Sequence, residues 1–501
     1  MVLLIHPPIA KPSEPPAGIA KLAGALNMHG IKHRVLDANI EAQLWLAENT
    51  GVVSTDTWDL VATRNVKETI SALRDPDTYT NFDRYGRNVR DLNHVLQIST
   101  ESKIGLAVYE DKSLSPLKSR DLLHIAEEPQ ESPFYRYFSA RLREVMEEDA
   151  PRYVGFSVNY LTQALSAFAM AGFIKKLSPS TRIIMGGGLI TSWLSQPGFD
   201  KDIFSGLVDH LVIGPGEYKL LEIIGQSGVD IKKHISPDYS GFPVQDYLSP
   251  GFILPYSASS GCWWGKCSFC PETAEGGAYK KVATGDVLTD IKKASVNASL
   301  IHLLDNSVSP ALVRGLMEEP PGVPWYGFAR IAPELCDDDY CDMLKKSGCV
   351  MLKLGLESGD QGVLDAMQKG IEIKTAGLAL KALKRAGIAT YVYLLFGTPP
   401  ESYEGARRTL EFTSEHAEAI GFLNVAVFNM PAYGDEATRH DTRSFSEGDL
   451  SLYSDFTHPL GWSRGKVRRF ITSEFKKNKN IAGILRRTPP LFTSNHAAYF
   501  V

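Results

Sequence analysis

The sequence predicts an α/β protein in two successive parts: a Rossmann-like, doubly wound parallel sheet, then a partial (β/α)6 TIM-type barrel with a small C-terminal α-rich region. Two observations carry this. Apolar runs bounded by Gly and Pro alternate with amphipathic stretches in the first 235 residues, and six more strand–helix units follow from Ile253. A third observation points to chemistry. Cys262, Cys267 and Cys270 fall in CWWGKCSFC, just after the first strand of the second series, where parallel barrels carry their active sites.

The chain opens with VLLIHPP, a buried strand ended by prolines. GIAKLAGALNMHG places Ile19, Leu22, Ala23 and Leu26 on one helical face, with Gly30 as the stop. HRVLDANI reads as the second strand. Residues 41–150 break the rhythm; they are polar and charge-rich, with helices such as Phe138–Met146, and read as a helical insertion. The α/β pattern resumes at RYVGFSV, with a helix over Leu165–Leu177. RIIMGGG, a helix near Leu194, HLVIGPGE and a helix from Tyr218 complete a first domain over 1–235. Residues 236–252, rich in Pro and aromatics, read as a linker. The strands of the second domain, 253–430, are ILPYSAS, LIHLLD, WYGFAR, VMLKLGLES, YVYLLFG and FLNVAVFN. Residues 431–501 form a C-terminal basic region. From Gly461 onward it has nine Lys or Arg (Arg464, Lys466, Arg468, Arg469, Lys476, Lys477, Lys479, Arg486, Arg487) and one acid, Glu474.

Composition excludes several classes. At 501 residues, 44 % hydrophobic and 22 % charged, the chain is an ordinary globular protein. No apolar run approaches the roughly 18 residues of a membrane span, and the N-terminus lacks a basic n-region, so a cytoplasmic protein is expected. Fifty-three basic and 58 acidic residues give no global pull toward nucleic acid. Six cysteines are too few for a disulfide scaffold. Three thiolates on one short loop suit an iron–sulfur cluster that leaves one iron without a protein ligand. Zinc would need a fourth ligand and usually a second knuckle, and Cys336, Cys341 and Cys349 are too loosely spaced to supply one.

With GCWWGKCSFC, LLDN, GLESGDQGVLDAMQKG and FGTPPES in this order, the second domain resembles the radical S-adenosylmethionine (radical SAM) enzymes. PPAGIAKLAGAL, VGFSV, IIMGGGLIT and VIGPGE resemble the cobalamin-binding domain that precedes that core in one large subfamily. The resemblance covers most of 1–40 and 151–430. One departure stands out. The family's loop has three residues between its first two cysteines, whereas this chain has Trp263, Trp264, Gly265 and Lys266. A loop carrying Gly265 absorbs the extra residue as a shifted path.

The resemblance implies a 4Fe–4S cluster on Cys262, Cys267 and Cys270, whose open iron chelates S-adenosylmethionine. Phe269 would stack beside adenine, Asp305 and Asn306 contact the methionine amine, Arg330 reach its carboxylate, and Glu357 with Ser358 bind ribose. Phe269, Asp305 with Asn306, and Arg330 also have plainer readings, in loop packing, helix capping and a surface pair; at Glu357 a carboxylate in a barrel mouth favours function. Cobalamin contacts fall to Ser157, Gly186, Gly187, Gly188, Thr191, Gly214, Gly216 and Glu217, with a nucleotide or flavin site on the same fold as the alternative. No D-x-H-x-x-G motif occurs, so a lower histidine ligand to cobalt is not expected, and His6 reads as a loop-structural residue. The implied activity is a cobalamin-dependent radical C-methylation. In it, a 5′-deoxyadenosyl radical activates an unactivated carbon and methylcobalamin delivers the methyl. A peptide or protein side chain is the preferred substrate, small molecules stay open, and an electron donor such as flavodoxin or ferredoxin is implied. Radical cyclisation or rearrangement without methyl transfer, and a non-catalytic corrinoid or redox sensor, are the alternatives. The C-terminal FTSNHAAYF stretch is expected to fold back over the barrel mouth.

Overall fold

The strands form where the apolar runs lie. In this computed structural model, which describes all residues except 52–53, 227, 229, 231–232, 446 and 490–494, the chain divides into two units. The first holds Met1–Ile253 and a short return around Gly448–Leu450; the second holds Leu254–Phe445 and most residues beyond Leu452.

In the first unit, β1 (Val2–His6), β2 (His33–Asp37), β3 (Tyr153–Ser157), β4 (Arg182–Gly186) and β5 (His210–Leu211) form one parallel sheet in the order β2-β1-β3-β4-β5. The order reverses between β1 and β3, so a crevice opens at the C-terminal ends of those two strands. The connecting helices are α1 (Ala17–Met28), α2 (Ala38–Glu48), α3 (Tyr135–Asp149), α4 (Leu161–Leu177), α5 (Gly188–Leu194) and α6 (Glu217–Ile223). The second strand is shorter than HRVLDANI because the Asp37 carboxylate accepts from the backbone N–H of Asn39 and Ile40 at 3.1 and 3.2 Å, which starts α2 at Ala38. The insertion is helical, as its composition implies, with helices from Thr57 to Asp149 around one small hairpin. Residues 236–252, expected as a linker, instead pack onto this unit. Phe242, Tyr247 and Leu248 are buried, and the Tyr247 hydroxyl donates to buried Asp37 at 2.5 Å.

In the second unit, β6 (Phe252–Tyr256), β7 (Ala298–Leu303), β8 (Trp325–Ala329), β9 (Cys349–Glu357), β10 (Ala389–Phe396) and β11 (Phe422–Val427) stand in sequential order across one sheet. The pairs from β7 to β11 are parallel. Helices α7 (Thr284–Ala294), α8 (Pro310–Glu318), α9 (Asp338–Lys346), α10 (Gln361–Ala366), α11 (Ile373–Arg385) and α12 (Tyr403–Glu415) link them into a half-barrel. One sheet face carries a buried polar group: Lys353 Nζ lies 2.7 Å from His302 Nε2 and 4.9 Å from the centre of the Tyr326 ring.

The basic region belongs to this half-barrel. Its helices α13 (Arg464–Phe470) and α14 (Lys479–Arg487) bury Val467, Phe470, Ile481 and Ile484, and Phe470 and Phe475 pack on Phe396 of β10 with ring centres 5.9 and 5.1 Å apart. Arg487 is spent on the carbonyls of Ile420 and Gly421 at 2.7 and 3.0 Å, whereas Arg468, Arg469, Lys476, Lys477, Lys479 and Arg486 face solvent. The end of the chain does not cover the mouth as expected. His496 is buried and stacks at 4.3 Å on Tyr391, near the start of β10, and it also meets Phe422, the first residue of β11. That is the end of the strands opposite the cysteine loop. The physical reason is that Tyr391 and Phe422 offer the His496 ring two aromatic faces to pack on. Residues 492–494 and the Asn495 side chain lie outside the described residues. Cys341 and Cys349 are fully buried, and burial pushes both thiols up, Cys341 to about 11. They are packing residues.

Because Phe475 is fully buried against Phe396, Phe475→Ala should destabilise the protein by about 3–5 kcal/mol. An unfolding free energy from urea denaturation that falls by less than a third of that cost would show that the tail is docked loosely.

Candidate functional site

The second unit's site is built on the loop that leaves β6. The chain runs from Tyr256 through Ser259–Ser260, which pairs antiparallel with Lys280–Lys281, and that ribbon frames the cysteine loop. Its stem is pinned by Asp305 at the end of β7. This buried carboxylate accepts from Ala258 N at 3.1 Å and from Ser259 Oγ. Burial raises the Asp305 pKa, and these hydrogen bonds oppose the rise. Asn306, beside it, donates to Glu272 Oε2 at 2.8 Å.

The loop is held at both sides. Trp263 Nε1 donates to Ser307 Oγ at 3.1 Å, and Trp264 Nε1 to Gln368 O at 3.2 Å. Ser268 N donates to Met367 O at 3.1 Å, which ties the loop to the segment after α10. Gly265 takes φ +60°, so the extra residue is accommodated by a left-handed turn, as the sequence implies. Cys262, Cys267 and Cys270 are all free and half-buried. Burial pushes the Cys267 and Cys270 thiols up; Lys369 and Arg330 pull Cys267 back down, and the N–H groups of Glu272 and Thr273 do the same for Cys270. Among the described residues no three His, Cys, Asp or Glu side chains stand close enough to share one metal ion. Ligands of one zinc lie about 2.3 Å from it, whereas thiolates on separate corners of a polynuclear cluster stand farther apart. The donor set of three thiols beside two cations fits such a cluster better than a single ion.

Around the thiols the expected contacts are distributed unevenly. Phe269 lies under Lys369, whose Nζ is 5.6 Å from its ring centre. Glu357 pairs with Lys369 at 3.0 Å and has φ +67°, next to a register shift between Gly355 and Glu357. A left-handed non-glycine residue at a bulge re-aims a side chain, at a cost of order 1–3 kcal/mol. Ser358 is turned away. It is fully buried, 3.2 Å from Thr409 Oγ1 on α12, and accepts from Asp360 N at 3.1 Å. Its hydroxyl is spent on the fold. Arg330 stacks on Trp264, with its guanidinium carbon 3.6 Å from the indole centre, and donates to the carbonyls of Lys369 and Gly370. Sequence reading passed over Trp264 and Lys369, although both lie in motifs it quoted. Their partners are 66 and 12 residues away, as the contacts Trp264–Arg330 and Lys369–Glu357 show, and no periodicity marks such pairs.

In the first unit, the candidate residues sit at the C-terminal edge of the sheet. Ser157 is buried and accepts from Asn159 Nδ2 at 3.1 Å. Gly187 has φ +105°, and a Cβ there would stand 2.6 Å from Val158 O, so packing against β3 alone demands glycine. Gly186 and Gly188 have ordinary contact distances, and Gly188 N donates to Asn159 Oδ1 at 2.9 Å. Thr191 Oγ1 accepts from Gly214 N at 2.9 Å, Gly216 precedes α6, and Glu217 opens it with a buried Oε2 that has no hydrogen-bond partner among the described residues. Two apolar side chains flank this edge: Tyr160 after β3 is 59 % exposed and Ile213 after β5 is 57 % exposed. Open glycines, an apolar rim and an unpartnered carboxylate oxygen fit a large planar ligand with polar edges. His6 is buried, 3.4 Å from Gln163 Nε2, and burial pushes its pKa down. It is held in the loop network that Gln163 makes with Pro7 O at 2.8 Å.

A further titratable group stands beyond β10. Glu401 is fully buried in GTPPES, accepts from Gly397 N at 2.5 Å and from Trp462 Nε1 at 3.1 Å, and among the described residues keeps Oε1 without a partner. Burial pushes its pKa from 4.5 up to about 7. A raised acid favours the folded state while protonated, so its contribution is complete below pH 4.5 and is lost as pH rises through 7. Glu401→Gln should therefore gain on the parent by roughly 3 kcal/mol between pH 4.5 and 8. Denaturation midpoints of both proteins across that range check this; a constant difference would contradict it.

Residues 256–413 match the Radical SAM superfamily. The chain is 24 % identical over 230 residues to the cytidylyl-2-hydroxyethylphosphonate methyltransferase of Streptomyces wedmorensis, covering 42 % of each protein. It is 21 % identical over 318 residues to an uncharacterized methyltransferase of Pyrococcus horikoshii, covering 55 % of this chain and 66 % of that one. The chain thus spans less than two thirds of the length of these curated relatives. Its fold is similar to the radical S-adenosylmethionine methyltransferase TsrM of Kitasatospora setae, solved with cobalamin and a [4Fe-4S] cluster bound. The TM-score is 0.53 at 16 % identity, covering 86 % of this chain and 75 % of that one. Among the described residues no helix is long and apolar enough to cross a membrane.

Proposed function

From the match of residues 256–413 to the Radical SAM superfamily we propose that the chain is a cobalamin-dependent radical SAM methyltransferase acting on an unactivated carbon. The observation that carries the reading is one chain with both halves of such a machine. A three-thiol loop sits on the rim of a half-barrel, and a five-stranded sheet with an open switch-point edge precedes it. Similarity to two methyltransferases, and in fold to one solved with both cofactors, supports it.

Cys262, Cys267 and Cys270 would hold the cluster. Gly186, Gly188, Thr191, Gly214 and Glu217, with Tyr160 and Ile213, would line the corrinoid edge. When bound, the cluster with S-adenosylmethionine supplies hydrogen abstraction and the corrinoid supplies the methyl group. This chain's residues bind and orient. Asp305 fixes the loop stem, and Glu357, aimed by its bulge and steadied by Lys369, offers a carboxylate for ribose hydroxyls. Phe269 offers an aromatic face beside the second cysteine pair. An external one-electron donor, such as a flavodoxin or ferredoxin, completes the system. Six free thiols suit a reducing compartment, the cytoplasm. A peptide or protein side chain is the proposed substrate class.

The test uses full-length protein purified without oxygen with cobalamin supplied. Roughly four irons per chain, as one such cluster requires, and near-stoichiometric cobalt are expected. Cys262→Ser, Cys267→Ser and Cys270→Ser should each lose most iron and S-adenosylmethionine cleavage yet keep cobalt. Iron without cobalt would overturn methyl transfer in favour of cyclisation or rearrangement. Cobalt with no iron would leave a corrinoid sensor.

A further inference from the structure

We propose that Arg330 sets the reduction potential of the cluster on Cys262, Cys267 and Cys270, and that Trp264, in the lengthened gap between the first two cysteines, holds it in place. This rests on the cluster reading above.

The geometry of the guanidinium carries the argument. Arg330 leaves the end of β8, and one of its faces is covered by the Trp264 indole at 3.6 Å. Its Nη2 donates to the carbonyl oxygens of Lys369 and Gly370, the latter at 2.8 Å. Gly370 permits this approach, since a Cβ there would stand 2.5 Å from the Trp264 ring. Both bidentate edges of a guanidinium, Nε–Nη2 and Nη1–Nη2, use Nη2. Arg330 is therefore poorly set to grip a carboxylate in the bidentate way that the resemblance implies. The same clamp holds it on Trp264, two residues from Cys262 and three from Cys267, so its positive charge acts on both thiols.

Charge decides which cation matters. Lys369 also faces Cys267, but its ammonium is paired with Glu357 at 3.0 Å, so the two largely cancel at a distance. Among the described residues Arg330 makes no ion pair. It is an uncompensated positive charge at the thiols. A hydrogen bond and a positive charge at a cluster sulfur stabilise the reduced, more negative state, and so raise the potential. Trp264 keeps the charge at that sulfur by stacking, and Lys266, 5.0 Å over the same ring, adds to the cationic surroundings.

The experiment is a redox titration of the full-length protein carrying its cluster, followed by absorption and electron paramagnetic resonance, without S-adenosylmethionine. Parent, R330Q, R330K and W264A proteins are compared at equal iron and sulfide content. At the poise where the parent is half reduced, R330Q should show about a tenfold lower reduced-to-oxidised ratio, which is about 59 mV for one electron. W264A should shift in the same direction by less, and R330K should recover part of the loss. Unchanged potentials in R330Q and W264A would overturn the proposal. So would weaker S-adenosylmethionine binding in R330Q at an unchanged potential, which would return Arg330 to the carboxylate role. Should R330Q fail to assemble a cluster, W264A and R330K decide by the same criterion. A parent protein that binds no iron would instead sink the cluster reading itself.

Discussion

The anchoring of the three-cysteine loop to the half-barrel is the constraint on which the rest of the site depends. A loop that carries three cysteines has no ladder of its own, so its position must come from fixed points at its ends. Asp305 supplies the first by binding Ala258 N and Ser259 Oγ from the end of the neighbouring strand. The backbone bond from Ser268 to Met367 and the indole bonds of Trp263 and Trp264 supply the others. Each anchor is a polar group, and the fixed points lie after β7 or after α10. The order of strands across the sheet is thereby converted into the positions of three sulfurs.

The fold was largely legible because burial writes itself into sequence. VLLIH, YVGFS, RIIMG, CVMLKLGLE and ATYVYLLF are runs that only a strand covered on both faces tolerates. What escaped was the destination of surface-reading segments. Residues 236–252 carry enough Pro and polar residues to resemble a linker, yet Phe242, Tyr247 and Leu248 have apolar area that finds a place on the first sheet. The C-terminal basic region misled in a similar way. Its charges dominate the composition, but Val467, Phe470, Phe475, Ile481 and Ile484 recur at helical spacing and bury one face against β10 and β11.

At the site, residue types were legible and their allegiances were not. The three cysteines declare themselves by clustering. Asp305, Arg330, Glu357 and Ser358 were visible as polar residues at strand ends, which is where parallel barrels collect function. But a polar side chain at a strand end satisfies whichever neighbour the tertiary structure brings, and that neighbour is usually remote in sequence. Ser358 went to Thr409, Asp305 to Ser259 and Arg330 to Trp264. The same holds for Gly187, which the backbone of Val158 requires whether or not a ligand approaches.

These allegiances change how the electrostatics of the rim should be read. Burial holds the Cys267 and Cys270 thiols toward their neutral forms, and the nearby cations work against burial at Cys267. Iron takes up thiolate, so loading of the proposed cluster would release protons from the same groups that burial protects. A rim of unpaired cations would promote that step but would also repel the approach of iron. A rim of fully paired ions would do neither. With Lys369 committed to Glu357 and Arg330 held by an indole and two carbonyls, the positive charge is present but immobile. With the proposed cluster in place, it would stabilise the thiolates from a fixed position.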